Sequence, residues 1–470
     1  VKMLSSFSHS RSQLKVELPL FFDEKVIPSL RAVMYNNIEV MKMLDTDKIA
    51  RFISEKRRDM KLTQQQLAEK LSISYQAVSK WETGAAYPNI ELFYDLAQLF
   101  GVTVDEMLKG REGESAENEI TYSKSGVDIT YTDSIKSEMA KYLETNDTRV
   151  LNKIGAFASL YDIKFGDIKN PVLVLKAEEP GSKQKLAIQY GFMESICHDM
   201  INHLVNDIIV MGAKPLAVLD TIICGNAEKD TINAIVKGIS EACKNNSCSL
   251  VGGETSIQPS VLEKGIYVLT SSVAGIVERD EIIDGSAISD GDAIIAVASN
   301  GLHTNGYSLV RMMMAQMPDI MRETIAGEDF LSAIMKPHLS YNDAAKGALS
   351  TKSGAIKGMA HITGGGIKGN LGRIIPNGVT AHIDLSKVKV LPIFKMIKSN
   401  GAISDAEMLN TFNCGIGLIV VAKREKADEV MGIVSKYHDC YQIGEVRKCE
   451  ETADGVGKVE FTNKLNWLRR

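Results

Sequence analysis

Gly252-Gly253-Glu254-Thr255, His303-Thr304-Asn305-Gly306-Tyr307-Ser308, Thr363-Gly364-Gly365-Gly366 and Thr411-Phe412-Asn413-Cys414-Gly415 are four glycine-rich stretches, each with polar side chains built in. Read as loops at strand ends and helix N-termini, they let backbone amides approach phosphate oxygens where partial positive charge already favours anions. One such cluster reads as a turn. Four of them in one half of a chain point to a nucleotide-handling body. Around them, strand and helix signals alternate. Pro171 to Leu175, Leu216 to Leu219 and Tyr267 to Thr270 read as strands, while the stretches near Ala234 to Cys243 and Ala427 to Tyr437 have helical spacing. An α/β architecture follows.

Working outward, the 470 residues exceed one ordinary core, so two or three domains are expected. With 44% hydrophobic and 24% charged residues the composition is that of a soluble globular protein, and a net charge of -5 says nothing about nucleic acid. The seven cysteines, at 197, 224, 243, 248, 414, 440 and 449, make no Cys-x-x-Cys pair and no zinc spacing. They read as reduced thiols, small and buried, in a cytoplasmic protein. No apolar run approaches the roughly 20 residues needed to span a membrane. Residues 1–43 open on Val1 and carry a Ser/His/Arg-rich start and the apolar patch Leu18 to Phe22, without the ordered regions of a signal peptide. They read as an extra segment, with Met41 or Met43 as the expected start.

From 44 to 110 the pattern changes to short amphipathic helices. Ile49, Phe52 and Ile53 face the first; Thr63 caps a second carrying Leu67 and Leu71; Ser74 caps a third with Val78 and Trp81; Leu92, Leu96 and Phe100 line a fourth, and Val104 to Leu108 adds a fifth. Through Leu62-Thr63-Gln64, Leu67-Ala68, Ala77 to Gly84 and Pro88 this unit resembles the Cro/repressor-type helix-turn-helix family. The resemblance implies binding of double-stranded DNA, with Tyr75, Gln76 and Lys80 on base edges and Gln64 and Ser79 near phosphates. Lys56-Arg57-Arg58 and Lys61 add phosphate attraction, offset by Glu55, Asp59, Glu69 and Glu82. The alternative is a helical module kept for protein binding or dimerisation. Residues 111–119, polar and acidic, read as a flexible linker.

The longest resemblance runs from Tyr122-Ser123-Lys124-Ser125-Gly126-Val127-Asp128 to about Gly444. It includes Val205-Asn206-Asp207, Gly212 to Leu216, Leu219-Asp220, Cys248 to Thr255, Ile282 to Ser286 and Ala360 to Gly366. Order and spacing resemble those of the phosphoribosylformylglycinamidine cyclo-ligase family. The resemblance implies an N-terminal ATP-binding domain at 120–287, whose sheet pairs across a homodimer, and a C-terminal domain at 288–470, with the active site between them. The expected whole is therefore multidomain: an all-α helix-turn-helix unit followed by a two-domain α/β body.

Within that body, the segment Glu194 to Asp207 has Asp199, His203 and Asn206 on one helical stripe and Ile196, Met200, Leu204 and Ile208 on another. The resemblance implies ATP, Mg2+ and formylglycinamidine ribonucleotide as ligands. It marks Glu178, Asp207 and Glu254 as oxygen ligands for the metal, and Lys183, His303, Asp199 and Asn206 as the catalytic group. Gly181, Ser182, Lys183, Gly252, Gly253, Thr255, Asn305, Gly364, Gly365, Gly366 and Asn413 are implied around the nucleotide. His303 suits phosphate contact or proton transfer, and Asn305 and Asn413 either position substrate or lock loops. His361 reads as a loop histidine that orients backbone, and Met312-Met313-Met314 as core packing.

The sequence departs from the family at Ala177-Glu178-Glu179-Pro180-Gly181-Ser182-Lys183, where Glu179 adds charge and Pro180 removes an amide donor. Smaller departures are Ser123 and Asn410. The altered loop keeps open a ligand-sensing regulator without turnover. A third reading is another ATP-dependent enzyme of the superfamily, such as a thiamine monophosphate kinase, a selenophosphate synthetase or a hydrogenase maturation protein.

Overall fold

The computed structural model describes residues 45–110, 129–152, 156–350, 354–450 and 457–467. The extra segment, the linker and Tyr122 to Asp128 lie outside the described residues. Two compact units divide between Ile120 and Thr121.

The first unit is helical throughout: α1 (Thr46–Asp59), α2 (Gln64–Lys70), α3 (Tyr75–Glu82), α4 (Ile90–Phe100) and α5 (Val104–Lys109). Each begins at a side-chain N-cap: Asp45, Thr63, Ser74, Asn89 and Thr103 each accept from the backbone amide three residues on. Thr63 with Gln66 and Thr103 with Glu106 complete reciprocal capping boxes. Caps of this kind contribute about 1 kcal/mol each, which matters for helices of six to eight residues that cannot stand alone. The apolar faces meet in one core of Ile49, Phe52, Ile53, Leu67, Val78, Trp81, Leu96 and Met107, with Leu71, Leu92 and Phe100 packed around it.

The second unit holds two large sheets and a two-stranded ribbon that pairs Thr324–Ile325 with Glu328–Asp329. In the first, β1 (Pro171–Glu178), β4 (Tyr267–Glu278), β2 (Lys214–Cys224) and β3 (Ser249–Ile257) lie in that order, antiparallel except for the β2 and β3 pair. Helices α6 (Ile129–Leu143), α7 (Lys183–Tyr190), α8 (Met193–Ile209) and α9 (Lys229–Asn245) accompany it. The second sheet is built on β5 (Ala293–Ala298), flanked by β8 (Ile416–Ala422) and β9 (Cys440–Lys448). Beyond these lie β6 (Ile356–His361), β7 (Val379–Asp384) and β10 (Lys458–Thr462). Strand β8 is buried at every position, which explains its unbroken apolar run Ile416 to Ala422. The core is continuous from Ile135 in α6 to Leu465, so the two sheet regions share one apolar interior.

One expectation is corrected here. Gly252 to Thr255 do not form a loop; they lie inside β3, paired in parallel with β2. A Cβ on Gly253 would fall 1.9 Å from Asp220 Oδ1, so glycine at this position admits the Asp220 side chain between strands. The remaining glycine clusters are loops, with positive φ at His303, Gly306, Gly365, Gly366, Cys414 and Gly415.

Candidate active site and candidate DNA interface

Helix α8 organises the enzyme-like unit. Its polar stripe is not a solvated face but is buried against the segment from Met335 to Tyr341. Ser195 Oγ donates to the Met335 carbonyl (3.0 Å), Asn202 Nδ2 to the His338 carbonyl (2.6 Å) and Asn206 Nδ2 to the Leu339 carbonyl (2.8 Å). In return the His338 amide donates to Asp199 Oδ1 (2.7 Å) and the Tyr341 amide to Asn206 Oδ1 (2.9 Å). The segment is irregular, with Met335, His338 and Tyr341 buried and Pro337 exposed, and the helix supplies partners for its backbone groups.

Lys183 opens α7 and belongs to the same seam. Its ammonium pairs with Asp199 (2.9 Å to Oδ1, 2.7 Å to Oδ2), donates to the Lys336 carbonyl (2.7 Å) and lies 5.5 Å from the Tyr307 ring centroid. Both side chains are fully buried. Burial pushes the Lys183 ammonium below its ordinary range, against the pull of Asp199, and pushes the Asp199 carboxyl up to about 6, against the pull of Lys183. In this arrangement the Lys183 protons are engaged within the protein.

The carboxylates expected to hold metal divide into two places. Glu178, at the end of β1, and Asp207, near the end of α8, both face the Lys176 ammonium, each at 3.0 Å. Lys176 and Glu178 are two residues apart on β1 and so share a face. Burial raises the Asp207 carboxyl, but the bond from His361, the charges of His361 and His203 and the bond from Lys176 outweigh it and hold Asp207 well below the carboxylate range. Glu254 stands apart: β1 and β3 are three strand spacings distant, about 14 Å between backbones. Its charge bears on Asp220, whose carboxyl is pushed up to about 7 chiefly by burial.

Four histidines cluster beside Asp207. His361, expected to orient backbone from a loop, ends β6 and engages side chains at both ring nitrogens: Nδ1 lies 2.7 Å from Asp207 Oδ1 and Nε2 2.9 Å from His338 Nε2. Thr304 Oγ1 lies 3.0 Å from His203 Nδ1 and 3.5 Å from His338 Nδ1. His303 stacks on His338 with ring centroids 3.9 Å apart, and both its ring nitrogens are buried without a hydrogen-bond partner. Burial, and then the charge of His361, keep His303 well below the usual imidazole range. No spacing in the sequence links His338 or Lys176 to this cluster; their placement comes from the Met335 to Tyr341 crossing and from β1 facing α8.

The loop residues gather as well. A Cβ on Gly181 would lie 3.4 Å from the Thr304 carbonyl, and one on Gly364 3.3 Å from Asn305 Oδ1, so three of the glycine-bearing loops abut. Ser182 precedes α7 without a side-chain cap bond. Gly365 and Gly366 begin a short helix whose Asn370 amide ties back to the Thr363, Gly364 and Gly366 carbonyls. Asn413 is committed to loop closure, accepting from Ser299 Oγ and the Gly415 amide and donating to the Gly301 carbonyl. Gly252, Gly253 and Thr255 lie on β3 instead, lining a groove with Leu175, Leu219 and Glu254.

In the helical unit, α3 presents Tyr75, Gln76 and Lys80 to solvent, with Ser79 half-buried. Gln64 is drawn inward: its amide donates to Glu82 Oε2 (2.8 Å), which also receives Arg57 in a two-pronged pair at 2.5 and 2.9 Å. Arg57 is therefore removed from the basic cluster, and Glu82 is neutralised at the end of α3. Among the described residues no helix is long and apolar enough to cross a membrane, and the seven cysteines are free thiols.

Comparison with known proteins follows the same division. Residues 171–277 match the family described as AIR synthase related protein, N-terminal domain, residues 289–456 its C-terminal domain, and residues 53–107 a helix-turn-helix family. A phosphoribosylformylglycinamidine cyclo-ligase of Methylobacillus flagellatus is 37% identical over 350 residues, 74% of this chain and 98% of that protein. One of Nitratidesulfovibrio vulgaris is 36% identical over 344 residues, 72% and 98% respectively. Among solved structures, the hydrogenase maturation protein HypE of E. coli aligns with a TM-score of 0.51 at 15% identity, over 72% of this chain and 98% of that one. HypE in complex with ATP aligns with a TM-score of 0.50 at 16% identity, over 74% and 96%; at such identity the likeness is one of fold. With a helix-turn-helix unit ahead of an α/β body that matches its relatives over nearly their whole length, the chain belongs to the phosphoribosylformylglycinamidine cyclo-ligase family.

Proposed function

We propose that this protein catalyses the ATP-dependent closure of formylglycinamidine ribonucleotide to aminoimidazole ribonucleotide, and that its helix-turn-helix unit binds double-stranded DNA. The observation that carries the first part is the convergence of Glu178 and Asp207, from different elements, on one cation position now held by the Lys176 ammonium. Two carboxylates with open sides are the donor set that Mg2+ takes while keeping water and phosphate oxygens, so these residues fit the ion the family implies. When bound there, Mg2+ would neutralise phosphate charge.

The reaction needs the formyl amide oxygen turned into a leaving group. ATP phosphorylates that oxygen, an amidine nitrogen attacks the carbon, and phosphate departs. Lys176, partly exposed beside the carboxylates, suits contact with the transferred group. Lys183 and Asp199 act by position, holding the start of α7 to the Lys336 segment, and Asn206 does the same for Leu339 and Tyr341. His303, neutral and unbonded in the seam, is the candidate for proton transfer. The abutting Gly181, Asn305 and Gly364 loops would enclose phosphate and exclude water. Dimerisation through the first sheet is supported by Leu173, Leu175 and Leu219, which are 56%, 68% and 48% exposed.

The test is release of ADP and phosphate from ATP, Mg2+ and formylglycinamidine ribonucleotide, with the product identified by mass. Turnover that depends on substrate and falls at least about a hundredfold in Asp207→Asn is expected. ATP binding without turnover would overturn the assignment.

A further inference from the structure

Helix spacing and a strand end bring three side chains that can bind metal to one point. His203 and Asp207 are four residues apart on α8 and so share a face, while His361, the last residue of β6, meets them from the second sheet. One ligand atom from each of the three lies within 4.8 Å of the other two. Asp207 Oδ1 is 2.7 Å from His361 Nδ1, and Asp207 Oδ2 is 3.9 Å from His203 Nε2. Around one ion with bonds of about 2.0–2.2 Å, donors stand from about 2.8 Å apart at a right angle to about 4.2 Å apart across, so both separations suit a shared ion to within a few tenths of an ångström.

The rings agree with the atoms. The centroids of His203 and His361 are 5.1 Å apart and their planes 86° from parallel. Two imidazoles on one tetrahedral ion have centroids about 5.2 Å apart, because each centroid lies about 3.2 Å from the metal. The neighbouring trio His303, His338 and His361 also brings nitrogens within 4.8 Å of one another. There, however, His303 and His338 stack 20° from parallel, and one ion cannot lie in the planes of both rings. The outer ring nitrogens of the first trio are supported: His203 Nδ1 lies 3.0 Å from Thr304 Oγ1 and His361 Nε2 2.9 Å from His338 Nε2. Either support can accept a ring proton, which is how ligating imidazoles are held. The Asp207 side chain is 22% exposed against 10% for His203 and 2% for His361, so an ion has an entry path from the carboxylate side.

We propose that His203, Asp207 and His361 form a two-imidazole, one-carboxylate site for a divalent first-row transition-metal ion such as Zn2+, with the remaining positions left to water or substrate. Imidazole donors move preference from Mg2+ towards these ions, which take such a set readily. On binding, the ion replaces the proton shared between His361 and Asp207, and the Lys176 ammonium, 3.0 Å from Asp207 Oδ2, swings aside. The site shares Asp207 with the proposed Mg2+ position but does not need turnover, so its test is made without nucleotide.

The full chain is loaded with one equivalent of Zn2+ and its coordination read by X-ray absorption. Scattering from two imidazole rings is expected in the wild type, falling to one in His203→Gln together with a loss of about tenfold or more in Zn2+ affinity. Because His203 is buried, the partly exposed Lys176 gives a second reading: Lys176→Met removes the competing cation and is expected to tighten Zn2+ binding several-fold. Failure to bind Zn2+, Zn2+ bound with any number of imidazoles other than two, two imidazoles that persist in His203→Gln, or an affinity unmoved in Lys176→Met would each overturn the site. Turnover with Mg2+ is measured on the same preparation. Turnover without imidazole-bound Zn2+ sinks this inference alone, whereas Zn2+ on two imidazoles with no turnover sinks the enzymatic reading alone.

Discussion

Lys183 shows how a single residue can carry two incompatible expectations. By its place after a glycine-containing loop it is a phosphate ligand; by its surroundings it is half of a buried ion pair. Removing one partner of such a pair strands the other charge in the interior. Lys183→Met is accordingly expected to cost about 3–5 kcal/mol in urea unfolding, and a loss below about 1 kcal/mol would mean that the pair is not dry. Asp220 offers a cleaner titration. Its carboxyl is raised from 3.8 to about 7, so the folded state prefers the protonated form, and the penalty for ionising it grows as pH rises from 3.8 and is complete above 7. Asp220→Asn should therefore gain stability over the wild type between pH 5 and pH 8, by an amount on the order of 2–3 kcal/mol. Paired denaturation curves at the two pH values check this, and equal differences would exclude it.

Among the elements, α8 and the Met335 to Tyr341 segment carry the most weight. An amphipathic helix with a polar stripe is ordinarily solvated on that side, and this one is not. Four side chains of α8 satisfy the backbone of a crossing segment, so the stripe is read correctly as a helix face from its spacing, while its partners are set by that segment. Asn206→Ala leaves the Leu339 carbonyl and the Tyr341 amide unpaired, for an expected loss of about 2–4 kcal/mol. Hydrogen exchange locates the effect: the Tyr341 amide should lose protection before the strands of the second sheet do. A variant that exchanges like the wild type at Tyr341 would refute the clamp. Strand β3 teaches a related point, since Gly252 and Gly253 serve strand approach and not a loop.

The molecule as a whole joins two units with separate cores. Separate cores predict separable losses. Once the preferred duplex is found by selection from random DNA, Gln76→Ala is expected to lose about 1–3 kcal/mol of sequence discrimination while keeping cyclo-ligase turnover. Competition binding and the product assay on one preparation decide it. Loss of turnover together with discrimination would show that the two units do not act independently.

Local signals in the sequence determined much of this protein. Caps and 3.6-residue periodicity marked the five helices of the first unit, because each cap and each apolar stripe acts within a few residues of itself. The strands at Pro171, Leu216 and Tyr267 and the helix bearing Asp199 were legible for the same reason, and the order of motifs along the chain pointed to the family. Only the tertiary structure decided what those side chains meet. Lys176 between Glu178 and Asp207, His338 against His361, and Lys183 sealed beneath Lys336 are pairs that elements distant in the chain bring together. Whether a lysine faces a ligand or a buried carboxylate depends on contacts that no local pattern encodes.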